Sequence, residues 1–279
     1  MKYLVIVLIC LFIILVIAIL YSKIKIDVSH FVIKNRKIDK NMKIMFLSDL
    51  HNRNIIPKLE KVLAKEMPDL IVLGGDMVNE SIKETNNFFK LIELLNKYKT
   101  YYVFGNHEEV MSPEDKNEFI KKLNLSNTIL LNNDSIRVSD KIKLIGLDND
   151  KDTYKHHHEL CLSKEYIESK VGEIDVMLFN ILIAHNPLEF DSYVDYGCDL
   201  VLSGHVHGGI IRLPFIGGLL SPDYTFRPKY YQGKTNKNNT SMIVSRGIGP
   251  SKLAPIRLNN PGEIVIIKLE YEECETLVL

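Results

Sequence analysis

The chain has 279 residues, 46% of them hydrophobic, which is enough for one large domain or two small ones with a proper core. Lysine plus arginine and aspartate plus glutamate both number 35, so the formal net charge is zero and a dominant electrostatic grip on nucleic acid is excluded. The four cysteines, Cys10, Cys161, Cys198 and Cys274, show no paired spacing, which argues against a disulfide framework or a zinc–cysteine module.

From Tyr3 to Tyr21 there is no charge. As a helix this run is about 28 Å long, matching the hydrocarbon core of a bilayer. It is longer than the apolar region of a secretory signal and carries no small-x-small cleavage site, so residues 1–21 are expected to be an uncleaved, single-pass anchor in the cell membrane. Lys23, Lys25, Lys34, Arg36, Lys37 and Lys40 outnumber Lys2, and the positive-inside rule puts the part that follows in the cytoplasm. Residues 22–41 read as a juxtamembrane connector with an opening strand, residues 42–271 as one domain, and residues 272–279 as a tail.

Within that domain one pattern recurs. Short apolar runs, as in strands covered on both faces, stop at small or polar residues. Lys43–Leu47 ends at Ser48-Asp49-Leu50-His51, and Leu70–Leu73 at Gly74-Gly75-Asp76. Tyr101–Phe104 ends at Gly105-Asn106-His107-Glu108, and Asn180–Ile183 at Ala184-His185. Asp199–Leu202 runs into Ser203-Gly204-His205-Val206-His207-Gly208-Gly209. Function collects beyond the carboxyl ends of strands in such sheets. Helices fit between the runs: Ile56–Glu66, a segment opened by a Ser81-x-x-Glu84 capping box, and another opened by Ser112-Pro113. Lys141–Gly146, Ser241–Ser245 and Glu263–Leu269 read as further strands, so the whole is a layered α/β domain.

An extended His-x-His points both imidazoles to one side, a good construction for a transition metal. Each other strand end adds Asp, Asn or His. Singly, Asp49 and Asp76 also fit helix caps and Asn106 a turn residue.

Asp49-x-His51, Gly75-Asp76, Gly105-Asn106-His107-Glu108, His185 and Gly204-His205-x-His207, in that order, resemble the calcineurin-like metallophosphoesterase superfamily over roughly residues 42–269. The resemblance implies a four-layer α/β/β/α sandwich of two mixed sheets. It implies two divalent transition-metal ions, Mn, Fe or Zn, with Mn preferred: Asp49, His51 and His207 at the first, Asn106, His185 and His205 at the second, and Asp76 bridging. Two such cations would neutralise phosphoryl oxygens and lower the pKa of bound water, giving hydroxide near neutral pH. By the same resemblance His107 would aid the leaving oxygen as proton donor or charge stabiliser.

Arg246 and Glu108 are the substrate-binding candidates, Arg246 by gripping a phosphate bidentately and Glu108 also by orienting His107. Arg53 is expected in solvent, and His156-His157-His158 as a polar loop. The anchor, Gly208-Gly209 with Arg212–Phe215, and Pro255-Ile256-Arg257 resemble bacterial membrane-associated phosphodiesterases, whose relatives include UDP-2,3-diacylglucosamine pyrophosphatases. Ile210 departs from that branch, which commonly carries Gln there.

The expected function is hydrolysis of a phosphodiester or diphosphate bond, with lipid-linked or envelope-precursor substrates suggested by the anchor and no specific nucleic acid. The alternatives are a phosphomonoesterase or protein phosphatase of the same superfamily, and a non-catalytic, membrane-tethered metal-binding module.

Overall fold

The computed structural model describes residues 1–148, 162–213, 215–222, 225–250 and 255–273. The expected polar loop at His156-His157-His158 and most of the tail lie outside the described residues. In chain order the elements are α1 (Lys2–Ile24), β1 (Ile26–Asn35), β2 (Met42–Leu47), α2 (Ile56–Glu66), β3 (Leu70–Gly74), α3 (Asn86–Leu95), β4 (Thr100–Val103), α4 (Asn106–Glu109) and α5 (Pro113–Leu123). They continue with β5 (Thr128–Leu130), β6 (Asp134–Arg137), β7 (Ile142–Leu147), α6 (Lys164–Val171), β8 (Phe179–Ala184), α7 (Phe190–Tyr196) and β9 (Leu200–Ser203). The last are β10 (Arg212–Leu213), β11 (Gly217–Gly218), β12 (Gly233–Lys237), β13 (Thr240–Val244) and β14 (Gly262–Tyr271).

Two six-stranded mixed sheets carry the domain, ordered β1-β14-β2-β3-β4-β5 and β12-β13-β9-β8-β7-β6. Their stacking follows from the two-residue period of a strand. In β2, Ile44 and Phe46 point into the core between the sheets, while Met45 and Leu47 pack on the outer side with Leu59 and Leu63 of α2 and Phe88 and Leu91 of α3. In β8, Ile181 and Ile183 enter the same inter-sheet core, and Leu182 faces Phe190 and Tyr193 of α7. Apolar residues at every position thus reflect two covered faces, and the layers are helix, sheet, sheet, helix.

The opening strand expected in the connector is β1, which runs parallel to β14 from Ile26 opposite Gly262 to Asn35 opposite Tyr271. The Ser81-x-x-Glu84 box is corrected. Ser81 Oγ accepts from Lys83 N at 3.3 Å and Glu84 takes the Asn79 amide, which closes a 3-10 turn (Ile82–Glu84), so α3 starts only at Asn86. At α5 the reading holds, with Ser112 Oγ accepting from Asp115 N.

α1 is long and apolar enough to cross a membrane, with its side chains largely exposed up to Ser22. Its last turn is tied to the domain. Asn260 N donates to Ser22 Oγ at 2.8 Å, Arg53 donates to the Lys23 carbonyl, and Lys58 donates to the Ile24 carbonyl.

Candidate metal centre

The carboxyl ends of the parallel strands β2, β3 and β4 in one sheet meet those of β8 and β9 in the other. The loops beyond them are stitched by backbone bonds: Asp49 N donates to Gly75 O, His51 N to Asp76 O, and Gly204 N to His185 O, all at 3.0–3.1 Å. Across the sheets, His205 N donates to Asp49 Oδ1 at 2.9 Å, and His185 Nδ1 lies 2.7 Å from Gly74 O.

All seven residues expected as metal ligands come together. Asp49, His51 and His207 form one group of donor atoms within 4.8 Å of one another, and Asp76, His185 and His205 form a second. His51 Nε2 and His207 Nε2 are 3.1 Å apart, and His207 Nε2 is 3.4 Å from Asp49 Oδ1. His185 Nε2 lies 3.1 Å from Asp76 Oδ2, and Asn106 Oδ1 lies 2.9 Å from His205 Nδ1. Asp76 belongs also to a third group, with His51 and His107, and so stands between the other two.

The backbone is held in an uncommon conformation to achieve this. Asp49, His51, Asp76, His205 and His207 all have positive φ, between 46° and 71°. Each such residue carries roughly 1 kcal/mol or more of strain, which persists only where the surroundings enforce it. Gly247, at φ +67°, lies against Asp49: an added Cβ would come 2.5 Å from Asp49 Cβ.

Burial and mutual charge set the protonation pattern. Burial and the nearby Asp76 push Asp49 up to about 6. Burial acts the same way on Asp76, but the charges of His185 and His107 outweigh it and hold Asp76 well below the carboxylate range. His185 is raised to about 10, the Asp76 charge overcoming burial. Burial lowers His51 to about 4 and His207 well below its usual value, leaving both imidazoles neutral with lone pairs to offer. The Nδ1 of His207 is buried with no hydrogen-bond partner. The neutral imidazoles of His51 and His207, two carboxylates and the Asn106 amide oxygen converge in a donor set that fits divalent transition ions.

His107 sits at the rim, its Nε2 3.9 Å from Asp76 Oδ2 and its Nδ1 3.5 Å from Glu80 Oε1. Glu80 was not foreseen; it stands four residues after Asp76 in a segment without pattern.

Three expectations are corrected. Glu108 does not face substrate and does not orient His107. It is fully buried, and its carboxylate accepts from Gly105 N, Asp76 N, Met77 N, Val78 N and Tyr102 Oη at 2.7–3.1 Å. Arg246 does not offer a free fork for phosphate, because its guanidinium is held 3.1 Å from Asp27 and 3.2 Å from Glu263. Arg53, expected in solvent, is partly buried and donates to Ile248 O at 2.6 Å. Arg257 and Asn260 also escaped the sequence reading; both donate to the His207 carbonyl, at 3.1 and 2.7 Å. Their only prior signal was the Pro255-Ile256-Arg257 run.

The profile of the calcineurin-like phosphoesterase family matches residues 42–209. An uncharacterized metallophosphoesterase of Helicobacter pylori (strain ATCC 700392 / 26695) is 32% identical over 245 residues, 84% of this chain and 61% of that protein. The phosphodiesterase YaeI of Escherichia coli (strain K12) is 27% identical over 81% of this chain and 82% of its own. The solved calcineurin-like phosphoesterase YfkN of Bacillus subtilis aligns at TM-score 0.44 and 13% identity, over 84% of this chain and 86% of that one. The chain spans 61% of the length of each of two Helicobacter pylori relatives that it matches. With the profile covering more than half of its residues, the chain belongs to the calcineurin-like phosphoesterase family.

Proposed function

We propose that this protein is a membrane-tethered, metal-dependent phosphoesterase that hydrolyses a phosphodiester or diphosphate bond at a dinuclear centre. The observation that carries the reading is the pair of buried donor groups with Asp76 between them. Asp49, His51 and His207 would hold one ion, Asn106, His185 and His205 the other, and Asp76 would serve both through its two oxygens. Bound there, divalent ions, with manganese the first choice, would screen the phosphoryl oxygens and acidify water.

The chain's own residues supply the rest. Asp49 fixes the first loop against the second sheet through the His205 N–H and keeps both donor groups in register. His107, at the rim beside Asp76, presents Nε2 to the departing oxygen as proton donor or charge stabiliser. Glu80, 3.5 Å from its far nitrogen, places a negative charge behind the ring.

The bonds from Asn260, Arg53 and Lys58 to the last turn of α1 support a retained anchor, since a cleaved leader has no reason to be built into the domain. The test is turnover of an aryl phosphodiester and a panel of lipid diphosphates by the full chain in detergent micelles, with manganese at measured full occupancy. Hydrolysis of at least one is expected. Hydrolysis of none would overturn the reading.

A further inference from the structure

A cavity of about 390 Å³ lies where α1 meets the metal centre. It is lined by Ile19 of α1 and by Ile256, and it reaches His51 of the metal centre. Lys23, Arg53 and Arg257 line it as well, and among the described residues no carboxylate does. Arg53 and Arg257 satisfy their donors on carbonyl oxygens: Ile248 and Lys23 for the first, Gly247, Gly249, Arg246 and His207 for the second. Among the described residues neither guanidinium forms an ion pair with a carboxylate, Asp49 and Glu263 acting on Arg257 only from farther off, and the buried Arg257 Nε has no partner. Such a space favours a ligand with an anionic group near His51 and hydrocarbon against Ile19 and Ile256.

We infer that this cavity binds a membrane-resident amphiphilic phosphoester, which reaches His51 laterally from the bilayer along α1 with its phosphate among the basic residues. The inference rests on the phosphoesterase reading above and narrows its substrate to lipids. A soluble ester would leave Ile19 and the half-exposed Ile256 facing water across the cavity. The hairpin of β10 and β11 adds a second apolar element at the same level. Its tip carries the fully exposed Phe215 and the half-exposed Ile216, which share a cleft with Tyr21 of α1. With α1 in the membrane, Tyr21 falls at the interface, where aromatic rings collect, and Phe215 can enter the same layer. The opening of the cavity then faces lipid headgroups.

The experiment compares two phosphodiesters that share one reacting centre, hexadecyl p-nitrophenyl phosphate and methyl p-nitrophenyl phosphate, with the manganese-loaded full chain in dodecyl maltoside micelles. Partition into micelles alone favours the long ester, so the decisive quantity is how the kcat/KM ratio changes on substitution at Ile256, with α1 holding every variant in the micelle. Two methylenes in contact correspond to a factor of about ten in binding. Ile256→Ser is expected to lower the long-to-methyl ratio about tenfold, and Ile256→Leu to keep it.

A second readout needs no metal and no turnover. Hexadecyl phosphate should slow amide hydrogen exchange in the segments around Ile19 and Ile256 of the metal-free chain, and hexadecyltrimethylammonium should not. Equal ratios in all three proteins, or equal protection by both amphiphiles, would overturn the lipid inference while methyl-ester turnover left the phosphoesterase reading standing. Turnover of neither ester, with no lipid diphosphate hydrolysed at full metal occupancy, would remove both.

Discussion

The carboxylate of Glu108 accepts the backbone N–H of Asp76 at 2.9 Å and, through the same group, that of Gly105 at 2.8 Å. One buried side chain therefore fixes the loop after β3 relative to the loop after β4, and with it Asp76 relative to Asn106. Met77 N, Val78 N and Tyr102 Oη complete the set. Glu108→Gln keeps the shape but turns an amide N–H₂ toward backbone donors. Each buried group left unpaired costs about 1–3 kcal/mol. We expect a loss of about 3 kcal/mol or more in urea unfolding, and weaker binding of both ions by calorimetry. A variant within about 0.5 kcal/mol of the parent would show that the carboxylate does not hold the loops.

Gly247 is the tightest test of the backbone under Asp49. A methyl group at φ +67° is strained by roughly 1 kcal/mol or more, and here it also meets Asp49 Cβ. Gly197, at φ +93° after α7, is the control, because a Cβ there meets nothing within 4 Å. Gly197→Ala should lose only about 1 kcal/mol of stability and keep metal affinity. Gly247→Ala should lose stability as well and weaken metal binding tenfold or more. Equal metal affinity in the two variants would show that Asp49 tolerates displacement.

The site was legible in the sequence because its residues come where chemistry and backbone coincide. Asp, Asn and His are the non-glycine residues that most readily take positive φ, and all five positive-φ donor residues are Asp or His directly after a buried strand. What was not legible depends on long-range partners or on direction. Glu108 follows His107 in sequence, but successive residues of a helical turn point about 100° apart, so one faces the rim and the other the core. Arg246 looked free because its partner Asp27 lies 219 residues away. The opening strand was expected within residues 22–41, but its partner was not: β1 pairs with β14 and joins the two ends of the domain. Two strands that meet across more than 230 residues leave no local pattern.

Removal of single functional groups should separate metal binding from turnover. Asp76→Asn removes the carboxylate between the two donor groups, so ion stoichiometry by elemental analysis should fall along with activity. His107→Gln should keep both ions and lower kcat about a hundredfold or more, the usual contribution of a positioned proton donor. Stripping the ions with a chelator should abolish activity, and manganese should restore it. Near-normal turnover in His107→Gln would show that another group protonates the leaving oxygen.

Asp148, at the end of β7, makes stability depend on pH with a definite sign. Burial, then the hydrogen bond and charge of Glu109, push its carboxyl up from 3.8 to about 8. The folded chain therefore holds this proton over a range in which the unfolded chain has released it. Protons bound by the folded state alone make stability fall as pH rises, so the contribution is fully present below about 4, is lost between about 4 and about 8, and is flat above that. Asp148→Asn mimics the protonated form at every pH. In urea unfolding of the metal-free protein, the variant should match the parent near pH 4 and exceed it increasingly up to pH 8, beyond which the difference stays constant. A difference that shrinks as pH rises would mean that the carboxyl is ionised in the folded state and stabilised by Lys116 instead.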